Sequence, residues 1–416
     1  MLAAMSHIDT GDTAWLLASS ALVLFMTPGL ALFYGGLVRA KSVLPILMTS
    51  FCCMALVSVL WVLYGYSMAF GRDAGAGLVG RIDAAGLAGL AHGVRGSVPT
   101  LAFAAFQLMF AVITPALVSG AVADRARLGG WVLFVALWST VVYFPVAHWV
   151  FAPDGWILGR LGVIDFAGGT AVHVNAGAAA LALTLLLGRR VDRRRAPMRP
   201  HNVPLVLLGA GMLWFGWFGF NAGSALGANG QAALALLNTQ VAAAAGALAW
   251  IAVERLRDGR ASTVGIASGS IAGLVAITPS CAAVSPGGAV VVGLLAGGVC
   301  AYAIRLQYRL GFDDSLDVVG VHLVGGAIGS LLIGVLAVPA LTGGPAGLLA
   351  GGGTLLLGKQ ALGVLAVGGY SFLGSYALGF LVDRTVGFRL AAEQHTAEAD
   401  VVVPAEAAYA FDGALS

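Results

Sequence analysis

Residues 168–188 read GGTAVHVNAGAAALALTLLLG, an apolar run in which His173 is the only ionisable side chain. An apolar segment of about 20 residues crosses the hydrocarbon core of a bilayer as an α-helix. An ionisable residue within such a segment is costly unless it has a partner, which makes it a functional candidate. The stretch therefore predicts a membrane-spanning helix that carries a functional histidine.

The rest of the chain has the same character. Of its 416 residues, 59% are hydrophobic and only 10% are charged, whereas a soluble domain has about 25% charged residues. The apolar runs are continuous, which excludes the alternating pattern of a β-barrel. We predict an all-α, multi-pass membrane protein, and the small net charge of +3 gives no indication of nucleic-acid binding. Eleven transmembrane helices are predicted, near 14–35, 43–70, 99–122, 129–151, 168–188, 203–220, 231–253, 263–281, 287–307, 317–338 and 361–386.

The basic residues define the orientation. Of the 22 Lys and Arg residues, 17 fall on one side of the predicted spans and five on the other. The positive-inside rule assigns the side with 17 to the cytoplasm. The N-terminus is then outside and the C-terminus inside, as an odd number of spans requires, and the expected location is the cell (inner) membrane. The minority set is Arg72, Arg81, Arg95, Arg160 and Lys359.

A second apolar run, DVVGVHLVGGAIGSLLIGVLAV at 317–338, resembles the first. Its Val321-His322-Leu323 and Gly325-Gly326-Ala327 match Val172-His173-Val174 and Ala176-Gly177-Ala178, five spans earlier. An odd separation gives the two copies opposite directions, as in inverted repeats with a transport site at their interface. We predict a transmembrane domain of 1–390, with a first repeat at about 14–188, a second at about 203–338, an extra helix at about 361–386, and a cytoplasmic tail at 391–416.

The repeat predicts that His173 and His322 meet. Two neutral imidazoles can share a ring hydrogen, which satisfies both rings without a buried charge. The alternative is two separate core histidines, each bonded to backbone. Asp165 and Asp317 precede the two histidines near the starts of their spans, where an aspartate caps the helix. We predict Asp317 as the cytoplasmic-side cap. A buried anion at Asp165, near the outer mouth, would also favour a cation there.

An aromatic segment, Trp214 to Ser224, ends the sixth span on its outer side. Aromatic residues at this depth form either an interfacial belt or a cation-binding site. Phe106, Gln107 and Phe110 in the third span could supply facing groups.

These motifs resemble the Amt branch of the Amt/Rh ammonium transporter family, and the resemblance covers most of the chain. It rests on four stretches, at 33–39 (FYGGLVR), 165–173 (DFAGGTAVH), 215–221 (FGWFGFN) and 313–322 (DDSLDVVGVH).

The resemblance implies an eleven-helix homotrimer with one pore per subunit, which carries ammonium or methylammonium. It implies the following roles: His173 and His322 as twin pore histidines, Phe110 and Phe220 as the gate, Trp217 as pore wall, and Phe106, Gln107, Phe151, Asp165 and Ser224 around an outer recruitment site. No cofactor or metal is expected.

Two departures from the family pattern affect these expectations. Phe151 stands where the family usually has a tryptophan, and phenylalanine is the weaker cation–π partner. Trp149 is two residues away, about 200° around a helix, and is not expected to replace it. The tail keeps Asp400, Glu406, Ala408 and Tyr409 of the motif that meets a PII-type signalling protein, but has Glu398, Pro404 and Ala405 at its other positions.

We therefore expect an ammonium transporter that removes a proton from ammonium and conducts ammonia, with or without a separate proton relay. One alternative is an ammonium sensor, although the tail after Arg389 holds only about 27 residues and resembles no signalling domain. A second is an Rh-type gas channel without an outer site, which Phe151 favours and Ser224 disfavours. The sequence contains no catalytic constellation, so an enzyme is not expected.

Overall fold

The computed structural model describes residues 7–190, 199–390 and Tyr409. Within that part of the chain, ten helices are long and apolar enough to cross a membrane, and one shorter apolar helix joins them. In chain order they are α1 Thr10–Leu37, α2 Ala40–Phe70, α3 Thr100–Val122, α4 Leu128–Leu161, α5 Gly169–Leu187, α6 Val203–Gly223, α7 Gly230–Asp258, α8 Thr263–Ile277, α9 Pro286–Leu310, α10 Val319–Leu336 and α11 Leu355–Thr385. The predicted all-helical membrane fold is confirmed.

The connections contain short elements. An antiparallel hairpin of β1 Val94–Arg95 and β2 Val98–Pro99 precedes α3. Single turns of helix lie at Ala85–Leu87, Pro339–Thr342 and Leu348–Ala350. Helix α4 is interrupted at 152–155, after which Trp156–Leu161 resumes as a π-helical turn.

Each predicted span contains a helix, but the eighth ends earlier than the predicted 281. The Ser262 side chain caps its start by accepting a hydrogen bond from the Gly265 amide at 2.8 Å. After Ile277 the backbone forms turns, consistent with Pro279, since helices usually end before a proline. Within these turns the carbonyls of Cys281 (2.8 Å) and Val284 (2.9 Å) accept hydrogen bonds from the buried Asn238 amide on α7. This shorter α8 packs against both α7 and α9, which also pack against each other.

The connecting segments form two groups, as the predicted alternation requires. At one end, Asp12 accepts hydrogen bonds from Ser97 (2.5 Å) and the Ala228 amide (2.8 Å), which joins three segments predicted to be outside. At the other end, Asp313 is paired with Arg190 at 2.9 Å, which joins two segments predicted to be inside. Absolute sidedness stays a prediction.

Helix packing follows the proposed repeats. Helix α1, the first of the first predicted repeat, packs along α6, the first of the second. Helices α5 and α10, the last of each repeat, also contact each other. Helix α11 packs against α5 and α10 on the outside of this arrangement. The predicted tail, 391–416, lies outside the described residues except for Tyr409, whose hydroxyl is 2.8 Å from Nε2 of His201.

Large apolar side chains cover the outer faces of the helices. Leu248, Leu365 and Leu373 are each about two-thirds exposed or more, at 66%, 71% and 69%. Water solvates such an apolar surface poorly, whereas lipid tails solvate it well. The exterior is therefore suited to a bilayer.

Candidate functional site

His173 and His322 meet in the interior of the bundle. Their Nδ1 atoms are 3.2 Å apart, and the rings are nearly parallel, with centroids 5.3 Å apart and an interplanar angle of 26°. Both side chains are buried. The two rings are therefore in contact, as predicted, and are not two separate core histidines.

The two histidines occupy equivalent local structure. His173 lies in the π-helical turn Gly169–Val174 that opens α5, and His322 in the turn Val319–Leu323 that opens α10. Four residues after each histidine comes a glycine that touches the opposite helix. A Cβ on Gly177 would lie 2.3 Å from the Leu323 nitrogen, and one on Gly326 would lie 2.9 Å from the Gly169 carbonyl oxygen. The matching glycines thus allow the close approach that brings the rings together.

A narrow cavity of about 50 Å³ runs beside the histidine pair. Most of its wall is apolar, supplied by side chains such as Leu30, Leu117 and Leu213. The polar lining residues are Tyr34, His173, Ser268, Asp317 and His322. A space of this size holds only a few molecules as small as water. Nε2 of His173 is buried and has no hydrogen-bond partner among the described residues.

A pair of phenyl rings separates this narrow cavity from a second one. Phe220 lines the narrow cavity, and Phe110 lines a wide cavity of about 310 Å³. The two ring centroids are 4.2 Å apart and the rings are tilted by 37°. Both side chains are almost completely buried. Passage between the cavities therefore requires these rings to move.

The wide cavity brings together four of the five residues predicted for recruitment. Gln107, Phe151, Asp165 and Ser224 all line it. The Ser224 hydroxyl donates to the Phe220 carbonyl at 2.8 Å, which leaves its oxygen lone pairs available as acceptors. The Phe151 ring is 6.4 Å from the Phe110 ring, in an edge-on arrangement. An acceptor and an aromatic face thus meet above the phenyl pair.

Asp165 connects the wide cavity to the histidine helix. One carboxylate oxygen accepts from the amides of Gly168 (2.8 Å) and Gly169 (2.6 Å). The other accepts from the Thr170 amide (2.7 Å), the Thr170 hydroxyl (2.5 Å) and the Ala171 amide (3.2 Å). The predicted capping interaction is therefore present, and it holds the turn in which His173 lies.

A family model described as Ammonium Transporter Family matches residues 14–409. This chain belongs to the ammonium transporter family. An ammonium transporter of Mycobacterium bovis is 53% identical to it over 433 aligned positions, which cover 97% of this chain and 91% of the relative. The crystal structure of Candida albicans Mep2 has a TM-score of 0.87 at 35% identity, and the match covers 93% of this chain and 88% of that one. A structure titled Sensor Amt Protein has a TM-score of 0.86 at 30% identity, with coverages of 92% and 96%.

These matches make the chain a transporter rather than an enzyme. Its apolar helices make it a multi-pass membrane protein, and its bacterial relatives indicate the inner membrane.

The aromatic segment from Trp214 to Ser224, predicted as either an interfacial belt or a cation-binding site, has residues of both kinds. Trp217 and Phe220 face inward, and the His173 ring stacks on Trp217 with centroids 5.4 Å apart. Trp217 is fixed by its Nε1, which donates to the Thr278 hydroxyl at 2.8 Å. Phe215, by contrast, is 55% exposed on the face of α6 that points away from the bundle. The segment is therefore a cavity wall on one face of the helix and lipid-facing on the other.

Two aromatic residues lie away from the wide cavity. Phe106, predicted at the recruitment site, does not line it, because its fully buried ring packs behind Phe110 and against Gly223. Trp149 points elsewhere, as expected: its Nε1 donates to the Leu78 carbonyl at 2.7 Å and its ring packs on Tyr370. Phe151 is thus the side chain from α4 that supplies an aromatic face.

The predicted role of Asp317 as helix cap is wrong. Its backbone has a φ of +60°, and its side chain turns back to accept from Nε2 of Gln307 at 2.9 Å. The cap comes from Asp314, whose Oδ2 accepts from the Val319 amide at 2.7 Å. Asp317 instead lines the narrow cavity, beyond the histidines.

The buried cap should make the stability of the transporter depend on pH. Burial raises the pKa of Asp314 from 3.8 to about 6, against the opposing effects of the Val319 and Val318 amides and Arg125. A carboxyl group whose pKa is higher in the folded state than in the unfolded chain binds its proton more tightly when folded. Its contribution to the free energy of unfolding is complete below about pH 4 and is lost as pH rises through about 6. Since one pKa unit corresponds to about 1.4 kcal/mol, the loss is up to about 3 kcal/mol.

Asp314→Asn keeps an acceptor for Val319 but cannot ionise. We expect the thermal unfolding midpoint of the wild type in detergent to fall relative to this variant between pH 4 and pH 7. Neighbouring Asp313 is present in both proteins, so its titration cancels in the comparison. Parallel curves over this range would contradict the assignment.

Sequence reasoning missed one charged residue of the wide cavity. Arg95 lies in the β1–β2 hairpin and lines the cavity together with Asp165. The available signal was its membership of the small set of basic residues on the predicted outer side.

Proposed function

We propose that this transporter recruits ammonium in the wide cavity, that the cation loses its proton near the Phe110–Phe220 pair, and that ammonia passes through the narrow cavity past His173 and His322. The proton goes either back to water on the outer side, which gives net ammonia flux, or to the histidine pair, which relays it separately. The observation that carries the proposal is the apolar narrow cavity of about 50 Å³ whose polar groups include a hydrogen-bonded histidine pair.

The size and lining of the narrow cavity support deprotonation. Moving an isolated ammonium-type ion from water into an apolar interior costs far more than moving a neutral polar molecule. A cavity of this size excludes a hydration shell, since it has room for only a few small molecules. Ammonia has no net charge and needs only hydrogen-bonding partners.

The wide cavity has features that suit the cation. The Ser224 oxygen can accept a hydrogen bond, the Phe151 ring can make a cation–π contact, and Gln107 offers a carbonyl oxygen. Asp165 contributes negative charge, although its oxygens are already bonded to the start of α5. Recruitment thus uses neutral acceptors and an aromatic face in the field of a fixed carboxylate.

The histidine pair suits neutral ammonia. When one Nδ1 donates its hydrogen to the other, the donating ring has a bare Nε2 and the accepting ring carries hydrogen on Nε2. The pair then offers one acceptor and one donor, and ammonia can use both. The same pair can move a proton separately, which would make transport electrogenic.

Current measurements test the proposal. The purified protein is reconstituted in liposomes on a solid-supported membrane and given an ammonium pulse, with a potassium pulse as the control. We expect a saturable current with ammonium and none with potassium. A potassium current of equal size would refute the selectivity that the apolar narrow cavity implies, and saturable uptake of labelled methylammonium without current would favour net ammonia flux.

Assembly and regulation belong to the same proposal. We propose a homotrimer with one pore per subunit, and a PII-type signalling protein as a partner at the cytoplasmic face. The bond between Tyr409 and His201 supports a tail that returns to the bundle, since His201 also contacts the Val38 carbonyl at 2.8 Å.

A sensor is the second candidate, because a structure titled Sensor Amt Protein aligns over 92% of this chain. The 53% identity to the mycobacterial ammonium transporter favours transport. Growth of an ammonium-uptake-deficient host on low ammonium separates them, since rescue requires transport and a sensor alone would give none.

A further inference from the structure

Arg95 is held rigidly at the wall of the wide cavity. It ends β1, and the reversal that follows uses Gly96, whose φ is +63°. The hairpin is fixed to α1, because Ser97 donates to Asp12 at 2.5 Å and the Asp9 amide donates to the Ser97 carbonyl at 2.8 Å. Backbone on both sides of Arg95 is therefore restrained.

The side chain is also restrained. The guanidinium carbon lies 3.9 Å from the centroid of Phe103 and 5.2 Å from that of Phe70. Burial lowers the pKa of Arg95, and Tyr66 and Asp154 act in the opposite direction. An arginine remains charged at neutral pH in proteins, so the wall carries a fixed positive charge.

This charge shares the cavity with the groups that suit ammonium. Arg95 and Asp165 line the same space as Phe151 and Ser224. A compact cavity of about 310 Å³ is only about 8 Å across, which is shorter than the Debye length of about 10 Å at 0.1 M salt. A cation in the cavity therefore feels the arginine at every position it can occupy.

We propose that Arg95 is an affinity-determining residue of the wide cavity, where its fixed positive charge opposes that of Asp165 and raises the ammonium concentration needed for half-saturation. The inference rests on the proposed recruitment of ammonium in this cavity. A cavity that holds its cation less tightly also releases it more readily to the next step, so the opposing charge adjusts the transporter to higher ammonium concentrations.

Arg95→Gln tests the role of the charge. In ammonium titrations of solid-supported-membrane currents, we expect its half-saturation concentration to fall about threefold to tenfold at low ionic strength. The difference should shrink when choline chloride raises the ionic strength, because salt screens charges on this length scale. Arg95→Lys keeps the charge and should resemble the wild type.

Arg81→Gln is the matched control. It removes the same charge from an exposed residue on the same predicted side, outside the wall of the wide cavity. If Arg95→Gln lowers the thermal unfolding midpoint, Arg95→Met, which keeps an unbranched chain against Phe70 and Phe103, repeats the titration. An unchanged or higher half-saturation concentration in the neutral variants, or an equal shift in Arg81→Gln, would overturn the inference. Absence of any saturable ammonium current in the wild type would instead refute the proposed function.

Discussion

Replacing His173 and His322 together by leucine should lower ammonium currents at least about tenfold, or abolish their selectivity over potassium. The two rings are the hydrogen-bonding pair in a narrow cavity whose wall is otherwise mainly apolar. A buried polar molecule that loses a hydrogen bond pays about 1–3 kcal/mol, and the double variant removes a donor and an acceptor together. Unchanged ammonium-selective currents in this variant would refute a role for the pair.

A second double variant separates hydrogen bonding from proton movement. Asparagine at both positions keeps a donor and an acceptor but cannot bind and release a proton as imidazole does. If the rings relay a proton, the asparagine variant should conduct ammonia without current, which uptake of labelled methylammonium would detect. Equal currents in the wild type and the asparagine variant would exclude the relay and leave the hydrogen-bonding role.

His201→Leu is the matched control for the leucine variant. It also replaces a histidine by leucine, but His201 contacts the Val38 carbonyl and Tyr409 rather than the narrow cavity. We expect this control to retain ammonium-selective currents. Loss of current in the control as well would point to general damage from removing a histidine.

The histidine pair could be predicted because the sequence repeats its local surroundings. His173 and His322 each precede a glycine by four residues, and each glycine lies against the opposite helix. Sequence periodicity encodes such helix contacts directly, since residues four apart share one face. The spans could be predicted from hydropathy. The exception is the end of α8, because the residues after Ile277 are as apolar as the helix but form turns whose carbonyls bond to Asn238 on α7.

The positions of Asp317 and Arg95 could not be predicted in this way. Proximity to the start of α10 favoured Asp317 as its cap, but a left-handed backbone at Asp317 leaves that role to Asp314. Arg95 enters the wide cavity through a hairpin anchored by Asp9 and Asp12, which are more than 80 positions away in the chain. Local patterns do not encode contacts of this kind, which depend on the packed bundle.

Asp165→Ala should cause the second large effect, a loss of both transport and thermal stability. The substitution leaves four amides and one hydroxyl at the start of α5 without their acceptor. Each buried donor without a partner costs about 1–3 kcal/mol unless water reaches it. The turn that carries His173 would then lose its fixed start, and the 3.2 Å contact with His322 would not be maintained.

Asn229→Ala separates this effect from ordinary loss of a cap. Asn229 caps α7 on the same predicted side through two bonds of 3.0 Å, and it lies outside both cavities. Removing such a cap costs about 1 kcal/mol, so currents should persist with a slightly lower melting temperature.

Asp165→Asn is informative as well, because its amide nitrogen would face backbone donors and cannot accept from them. If Asp165 acted only through its charge, both of its variants would weaken ammonium binding without lowering the melting temperature. A lowered melting temperature in both, together with lost currents, is the outcome that its role as the anchor of the histidine turn requires.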